Sequence, residues 1–344
     1  MRKIIGVFFL LFSTCVFAQK EANIWYFGNK AGLDFNTGAP VALTGSQLNT
    51  TEGCSTFSDV NGNLLFYIGA PSPFASNLTI WNKDHKPMPF SDIIVGGSPL
   101  NGDSSSSQSA LTVPNPSNPN IYYLFTVGAP SSSNQGFWYY TVDMTEDNGL
   151  GDIIDGPVDL SEGSSFNWTE KVTAVKSSEC DTFWVISLLR NNTFYAYKVN
   201  ASGVDINNPV KSNPSLSITD ARGYMKVSPD GKKLVVANMG SGTYILDFDN
   251  TTGKVSNPQA LSVTGHGYGV EFSLSSERLY ISTGRFQTST ENLYQFDLTK
   301  ATISEINASR FTVHSYVNTR GALQIAPDNK IYWTSDGASQ ISVI

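Results

Sequence analysis

Residues 222–238 read RGYMKVSPDGKKLVVAN, and this stretch decides the fold. Apolar residues through Val227 form one strand. Pro229-Asp230-Gly231 forms a tight turn, because Asp-Gly readily takes the positive φ that a two-residue hairpin needs. Leu234 to Ala237 form the returning strand. The same wording recurs at 320–334, RGALQIAPDNKIYWT, and at 267–282, GYGVEFSLSSERLYIS. Weaker copies begin at Glu52, Gln108 and Glu170. One hairpin cannot bury its apolar face alone, whereas repeated units packed side by side can, and this predicts a β-propeller.

Working outward, the six copies align on Phe57, Val113, Val175, Val227, Phe272 and Ile325, at intervals of 45 to 62 residues. That spacing suits four-stranded blades with lengthened loops. In the unit after Ala221, strand A is 224–228, strand B 233–237 and strand C 243–248, and strand D follows Gly253. Aromatic and β-branched residues dominate the second strands, as in Tyr122 to Phe125 and Ile331-Tyr332-Trp333. No helical period is evident after residue 18.

The amino-terminal stretch supplies strands B, C and D of a blade at 23–28, 32–38 and 40–43, with no strand A. The carboxyl-terminal stretch supplies strands A, B and C at 322–326, 330–334 and 340–344. The reading is therefore an all-β, seven-bladed propeller, incomplete at the closing blade, with a six-bladed ring as the alternative. The expected blades are 23–48, 49–103, 104–164, 165–218, 219–264, 265–316 and 317–344, in a single domain over 19–344. The missing strands lead to the expectation that further domains of a longer chain follow.

Residues 1–18 read as a signal peptide. Arg2 and Lys3 precede the apolar run Ile4 to Phe12, and Val16-Phe17-Ala18 is a small-x-small cleavage site. Cleavage after Ala18 implies a secreted, extracellular or cell-surface protein. The apolar run is too short to span a bilayer, so membrane insertion is not expected. The whole chain carries a formal charge of −7. Losing Arg2 and Lys3 makes it more acidic, which argues against nucleic acid, since that partner needs a basic patch. Cys54 and Cys180 remain after cleavage. They fall two blades apart, beyond the ~7 Å Cα separation that a disulfide tolerates, so both are expected to be free, with Cys54 buried.

The wording "NIWYFGNKAGLDFNTGAPVAL" followed by "TEGCSTFSDVNGNLLFY" resembles the amino-terminal β-propeller of large secreted surface proteins from gliding, type IX-secreting bacteria. "GYMKVSPDGKKL" and "GALQIAPDNKIYW" look like later blades of that domain. The resemblance covers nearly all of the chain after residue 18. It implies export, an adhesion-type setting, and further domains ending in a gliding-motility-associated sorting domain. It brings no catalytic motif.

The candidate site comes from register. Five residues before the inner-strand anchors stand Glu52, Gln108, Glu170, Arg222, Gly267 and Arg320, with His266 alongside. The entries to the inner strands surround one mouth of the central channel, so these side chains should form a polar ring there. Arginine forks suit an anionic group and the acids suit hydroxyls. Trp168, in a Ser-rich stretch before Glu170, is the aromatic expected at this mouth. The opposing reading is that Glu and Arg pair with one another and hold the blade entries. Three scattered histidines lack ligand spacing, and Asp247 to Gly253 reads as a turn rather than a calcium loop. No metal or cofactor is expected. No Gly-x-Ser-x-Gly elbow is present. The leading function is a non-catalytic binding or scaffold propeller of a surface protein, meeting an extracellular glycan or surface protein at the channel mouth. The alternative is a carbohydrate- or lactone-cleaving enzyme using Glu52 and Glu170, since a glycosidase needs two carboxylates roughly 5–10 Å apart.

Overall fold

The computed structural model describes residues 20–130, 135–163, 167–284, 290–317, 321–335 and 337–344. The signal segment and Arg320 lie outside these residues. Among the described residues the chain forms 26 strands in seven sheets. Blade 1 holds β1 (Ile24–Phe27), β2 (Ala31–Asp34) and β3 (Val41–Leu43). Blade 2 holds β4 (Ser55–Ser58), β5 (Leu64–Gly69) and β6 (Thr79–Asn82). Blade 3 holds β7 (Ala110–Pro114), β8 (Ile121–Val127), β9 (Phe137–Asp143) and β10 (Asp152–Asp159). Blade 4 holds β11 (Trp168–Lys176), β12 (Phe183–Leu189), β13 (Phe194–Asn200), β14 (Gly203–Val204) and β15 (Val210–Ser212). Blade 5 holds β16 (Met225–Val227), β17 (Lys233–Asn238), β18 (Gly242–Asp249) and β19 (Lys254–Leu261). Blade 6 holds β20 (Gly267–Phe272), β21 (Arg278–Thr283), β22 (Thr290–Asp297) and β23 (Phe311–Val317). Blade 7 holds β24 (Leu323–Ile325), β25 (Ile331–Trp333) and β26 (Ser342–Val343). Neighbouring strands within each blade are antiparallel. The fold is thus the expected seven-bladed propeller, and the six-bladed alternative is set aside.

Three details differ from the sequence reading. Blade 2 has three strands, and two isolated bridges, Trp81 with Pro87 and Leu78 with Leu100, stand in place of the fourth. Pro87 and Pro89, followed by Gly96 and Gly97, deny that segment a continuous ladder. Blade 4 divides its outer edge, with β14 and β15 each pairing a different part of β13. Two short helices also form, α1 (Glu146–Gly149) and α2 (Ile303–Ala308). The second starts with a capping box: Thr302 Oγ1 accepts from Glu305 N at 3.2 Å, and Glu305 Oε2 accepts from Thr302 N at 3.0 Å. Ile303 and Ile306 of α2 pack on the core between blades 5 and 6. Six residues are too few to display a helical period.

Both cysteines are free, but Cys54 is only partly buried as a residue, while Cys180 is exposed. Burial of the Cys54 thiol pushes its pKa up to about 12, so it behaves as a small apolar group.

The core is a set of clusters between adjacent blades. Phe66, Ile68 and Ile80 of blade 2 meet Leu124, Tyr140 and Val142 of blade 3. Phe125 and Phe137 of blade 3 meet Val172 and Tyr197 of blade 4. The ring closes where blade 7 meets blade 1. There Phe35, Ala326 and Tyr332 are buried, with Trp25, Leu33 and Ile341 packed on them. The Tyr332 ring stands edge-on to Trp25 at 5.6 Å and to Phe35 at 5.5 Å.

This small aromatic joint carries the closure. Tyr332→Ala is expected to cost about 3–5 kcal/mol of stability, the usual range for truncating a buried aromatic. Tyr332→Phe should cost only about 1 kcal/mol, because it loses just the hydroxyl bond to Asp328. Urea denaturation of both variants checks this, and equal losses would show that the rings do not hold the joint.

Candidate functional site

Each inner strand begins near one mouth of the channel, so the residues just before it converge. The segment 103–109, DSSSSQS, is the unexpected part. Its composition reads as a solvated loop, yet Asp103, Ser104, Ser106, Ser107 and Ser109 are buried. The segment lies across the channel mouth and ties blades together. Asp103 N–H donates to Val127 C=O at 3.1 Å, and Ser106 Oγ donates to the same carbonyl at 3.0 Å. Gly53 N–H donates to Ser106 C=O at 3.1 Å. Any side chain at Gly53 would put a Cβ 2.2 Å from Ser109 N and 2.7 Å from Ser106 O, so only glycine lets the two segments meet.

Ser107 is the junction. Gly223 N–H of blade 5 donates to Ser107 Oγ at 2.9 Å, and that hydroxyl donates to Glu170 Oε2 of blade 4 at 2.9 Å. Ser107 N–H reaches the same oxygen at 3.0 Å. Next to it, Ser105 is exposed and donates to Glu52 Oε2 of blade 2 at 3.1 Å. From the far side of the ring, Tyr268 OH of blade 6 donates to Glu52 Oε1 at 3.4 Å.

The expected ring residues separate into groups. Glu52, Glu170 and Arg222 come together, each close enough to act on another's charge. Arg222 forks onto Asp220, with Nε at 2.9 Å and Nη2 at 2.5 Å from its two oxygens. That bond raises the Arg222 pKa further. Burial works to raise the Asp220 carboxyl, but the Arg222 hydrogen bonds prevail and hold it below its ordinary value. Gln108 is spent on structure: its amide donates to Met225 C=O at 3.1 Å and accepts from Met225 N–H at 2.8 Å. His266 Nδ1 pairs with the Met239 carbonyl. Trp168 corrects the sequence reading. It starts β11, is 2 % exposed, and packs on Phe137 and Tyr195 between blades 3 and 4, so it is not a stacking platform at the mouth. The apolar environment of its ring outweighs the polar Ser-rich stretch that precedes it.

Sequence reasoning missed one buried lysine and one ion pair. Lys171 is fully buried, and its Nζ donates to the carbonyls of Ala221 and Arg222. A register irregularity between Trp168 and Val172 turns the chain there, so that neighbouring Glu170 and Lys171 both face inward. Further along the channel, Lys226 pairs with Glu271, and Glu271 also accepts from Ile325 N–H at 2.8 Å. Lys226 donates as well to Gln324 Oε1 at 2.8 Å, which joins blades 5, 6 and 7. The signal available in the sequence is the polar residue that directly precedes the anchors Val227, Phe272 and Ile325.

Asp249 spends its carboxylate on its own turn, accepting from Thr251 N–H at 2.9 Å and Thr252 Oγ1 at 2.7 Å. Among the described residues, no three His, Cys, Asp or Glu side chains are grouped to hold a metal ion.

Burial pushes the Glu170 carboxyl up to about 7, and the nearby Glu52 charge adds to the rise. Burial drives the Lys171 ammonium well below its ordinary value, against the pull of Glu170 and Asp220.

The sequence matches no protein family and no curated protein. Among solved structures it is similar to a protein of unknown function from Desulfotomaculum acetoxidans, with 14% identity over 93% of this chain and 91% of that one and a TM-score of 0.51. It is similar to a β-propeller domain from Myceliophteria thermophila, with 11% identity over 94% and 95% and a TM-score of 0.51. It is also similar to hydrazine synthase from Kuenenia stuttgartiensis, with 12% identity over 95% and 93% and a TM-score of 0.52. At such identities these likenesses establish the propeller architecture alone.

The raised Glu170 value has a definite pH consequence. Its contribution to stability is complete below the ordinary glutamate value of 4.5 and is lost as pH rises through about 7. As pH rises through about 7 the wild type should therefore lose stability relative to Glu170→Gln, whose amide does not titrate. Urea midpoints of both proteins across that window check the sign. Parallel profiles would place the Glu170 carboxyl at an ordinary pKa.

Proposed function

We propose that this chain is a non-catalytic, extracellular binding and scaffold propeller of a surface or adhesion-type protein, recognising a hydroxyl-rich glycan at the channel mouth. The observation that carries this reading is the serine segment. It holds the Glu170 carboxylate through Ser107 and the Glu52 carboxylate through Ser105. A hydrolase would need those two acids free to face each other across a substrate. Here Glu170 is 4 % exposed and already hydrogen-bonded, which counts against the enzymatic alternative.

The groups left at the surface of the mouth are Ser105, exposed, and Glu52, Arg222 and His266, half-buried. Acceptors prevail among them, because the Arg222 fork is already directed at Asp220. Carboxylates that accept from hydroxyls suit sugars better than anions. The secreted setting rests on the character of residues 1–18. Among the described residues, no helix is long and apolar enough to cross a membrane. The surface setting rests on the resemblance to propellers of gliding, type IX-secreting bacteria, and further domains of a longer chain belong to the same reading.

The test is a glycan array with the chain from Gln19 onward, followed by calorimetry on any positive sugar. Glu52→Gln should weaken binding by about tenfold or more, as for loss of a charge-assisted hydrogen bond, and Arg222→Ala should weaken it less, by releasing Asp220 from its place beside the acids. No sugar should be turned over. Glycan or lactone cleavage that disappears in Glu52→Gln or Glu170→Gln would replace this reading with the enzymatic one.

A further inference from the structure

The acids, serines and arginine of the channel mouth are all polar. Hydrogen bonds to a sugar replace hydrogen bonds to water, so they gain little on their own. Ligand sites therefore join a few polar groups to an apolar surface. Trp168 does not supply that surface, because it is buried between blades 3 and 4.

Phe74 is placed to supply it. Ser55 at the start of β4 pairs with Ile68 near the end of β5, so the loop between β5 and β6 emerges on the face where Glu52 and Gly53 lead into β4. Phe74 stands on this loop and is 96 % exposed. Ala75 N–H donates to Ser72 C=O at 3.1 Å, which closes a turn with Pro73 and Phe74 at its two central positions. Proline fixes the backbone angle at the first of these, so the ring is held out before any ligand arrives.

The turn is tied to the serine segment. Ser104 Oγ donates to Ala75 C=O at 2.5 Å, and Ser104 N–H donates to Ser76 C=O at 3.0 Å. The next residue, Ser105, holds Glu52. Between Phe74 and the serine that carries the carboxylate there is thus one hydrogen bond, with one residue step on either side of it. The segment is anchored in turn, since Asn101 N–H donates to Tyr140 OH at 2.7 Å. Ser76 and Asn77, which follow on the loop, are exposed, and Leu78 is buried. A flat ring with hydroxyl, amide and carboxylate groups around it matches a pyranose, which has C–H faces and a hydroxyl rim, better than the apolar centre of a protein interface.

We propose that Phe74 is the stacking platform of the mouth, and that the site takes an oligosaccharide of pyranoses whose hydroxyls are all equatorial. This rests on the reading of the mouth as a glycan site and names the class of glycan. With every hydroxyl equatorial, the ring C–H bonds are axial and both sugar faces are apolar, so one of them lies flat on Phe74. The hydroxyl rim of a neighbouring unit donates to Glu52. Ring and acid stand on separate segments, so the ligand spans at least two sugar units.

The probe is cellohexaose, titrated by calorimetry into the chain from Gln19 onward. Saturable binding is expected, with glucose at least about tenfold weaker. Phe74→Ala should weaken cellohexaose binding about tenfold or more, through the apolar contact it removes. Its Tm should match the wild type, because the ring buries almost nothing in the free protein. Phe74→Trp should bind at least as tightly as the wild type. The proposal is overturned if Phe74→Ala binds cellohexaose as the wild type does, or if its Tm falls, which would give the ring a structural role. Cellohexaose that fails to bind, while a different glycan binds and is lost with Glu52→Gln, overturns the class of sugar and leaves the mouth as a glycan site. Absence of binding by every glycan overturns both.

Discussion

A twisted sheet with two apolar faces must be covered on both, and that constraint shapes this chain. Each blade buries one face on its predecessor and the other on its successor, so the arrangement is complete only when the last sheet meets the first. The joint between blades 7 and 1 is the test of that closure. It consists of Trp25, Phe35 and Tyr332 around Ala326, a smaller group than the clusters between blades 3 and 4 or 4 and 5. Here aromatic edges do what fuller sheets do elsewhere.

Ring geometry then forces the six described inner-strand entries toward one axis, and polar groups gathered there must satisfy one another. The serine segment resolves the crowding on one side. It places hydroxyls between two acids that would otherwise repel, and it orders Glu52, Glu170 and the Asp220–Arg222 pair in one hydrogen-bonded array. On the other side, Lys226, Glu271 and Gln324 form a second array. Buried polar networks of this kind stabilise only when every member is satisfied, which accounts for the short, specific loops on both sides.

Much of the architecture was legible because it is written locally. Asp230-Gly231 fixes a hairpin, and the expected strands of blade 5 fall within a residue or two of β16 to β19. That blade 1 opens on a second strand, with no inner strand among the described residues, was legible for the same reason. The site was less legible. Register brought Glu52, Glu170 and Arg222 to one mouth, but nothing local distinguishes Ser104 to Ser107 from a solvated loop. Their burial depends on Gly53, Val127, Glu170 and Gly223, which are distant in sequence. Trp168 failed in the same way: its polar neighbours suggested exposure, and Phe137 and Tyr195 of other strands decided otherwise. The capping box of Thr302 and Glu305 was a local signal that a search for helical period overlooks.

The two hub arrays do not cover the circle evenly. One braces blades 2 to 6, the other blades 5 to 7, and among the described residues neither array includes a residue of blade 1. In mechanical terms the molecule is a split ring rather than a hoop. A hoop resists a change of circumference equally at every point, whereas a split ring takes up that change at its gap and leaves the remaining arc stiff. Blade 1 is that gap, and small adjustments of diameter can be absorbed there while the acids and arginine of the mouth keep their spacing.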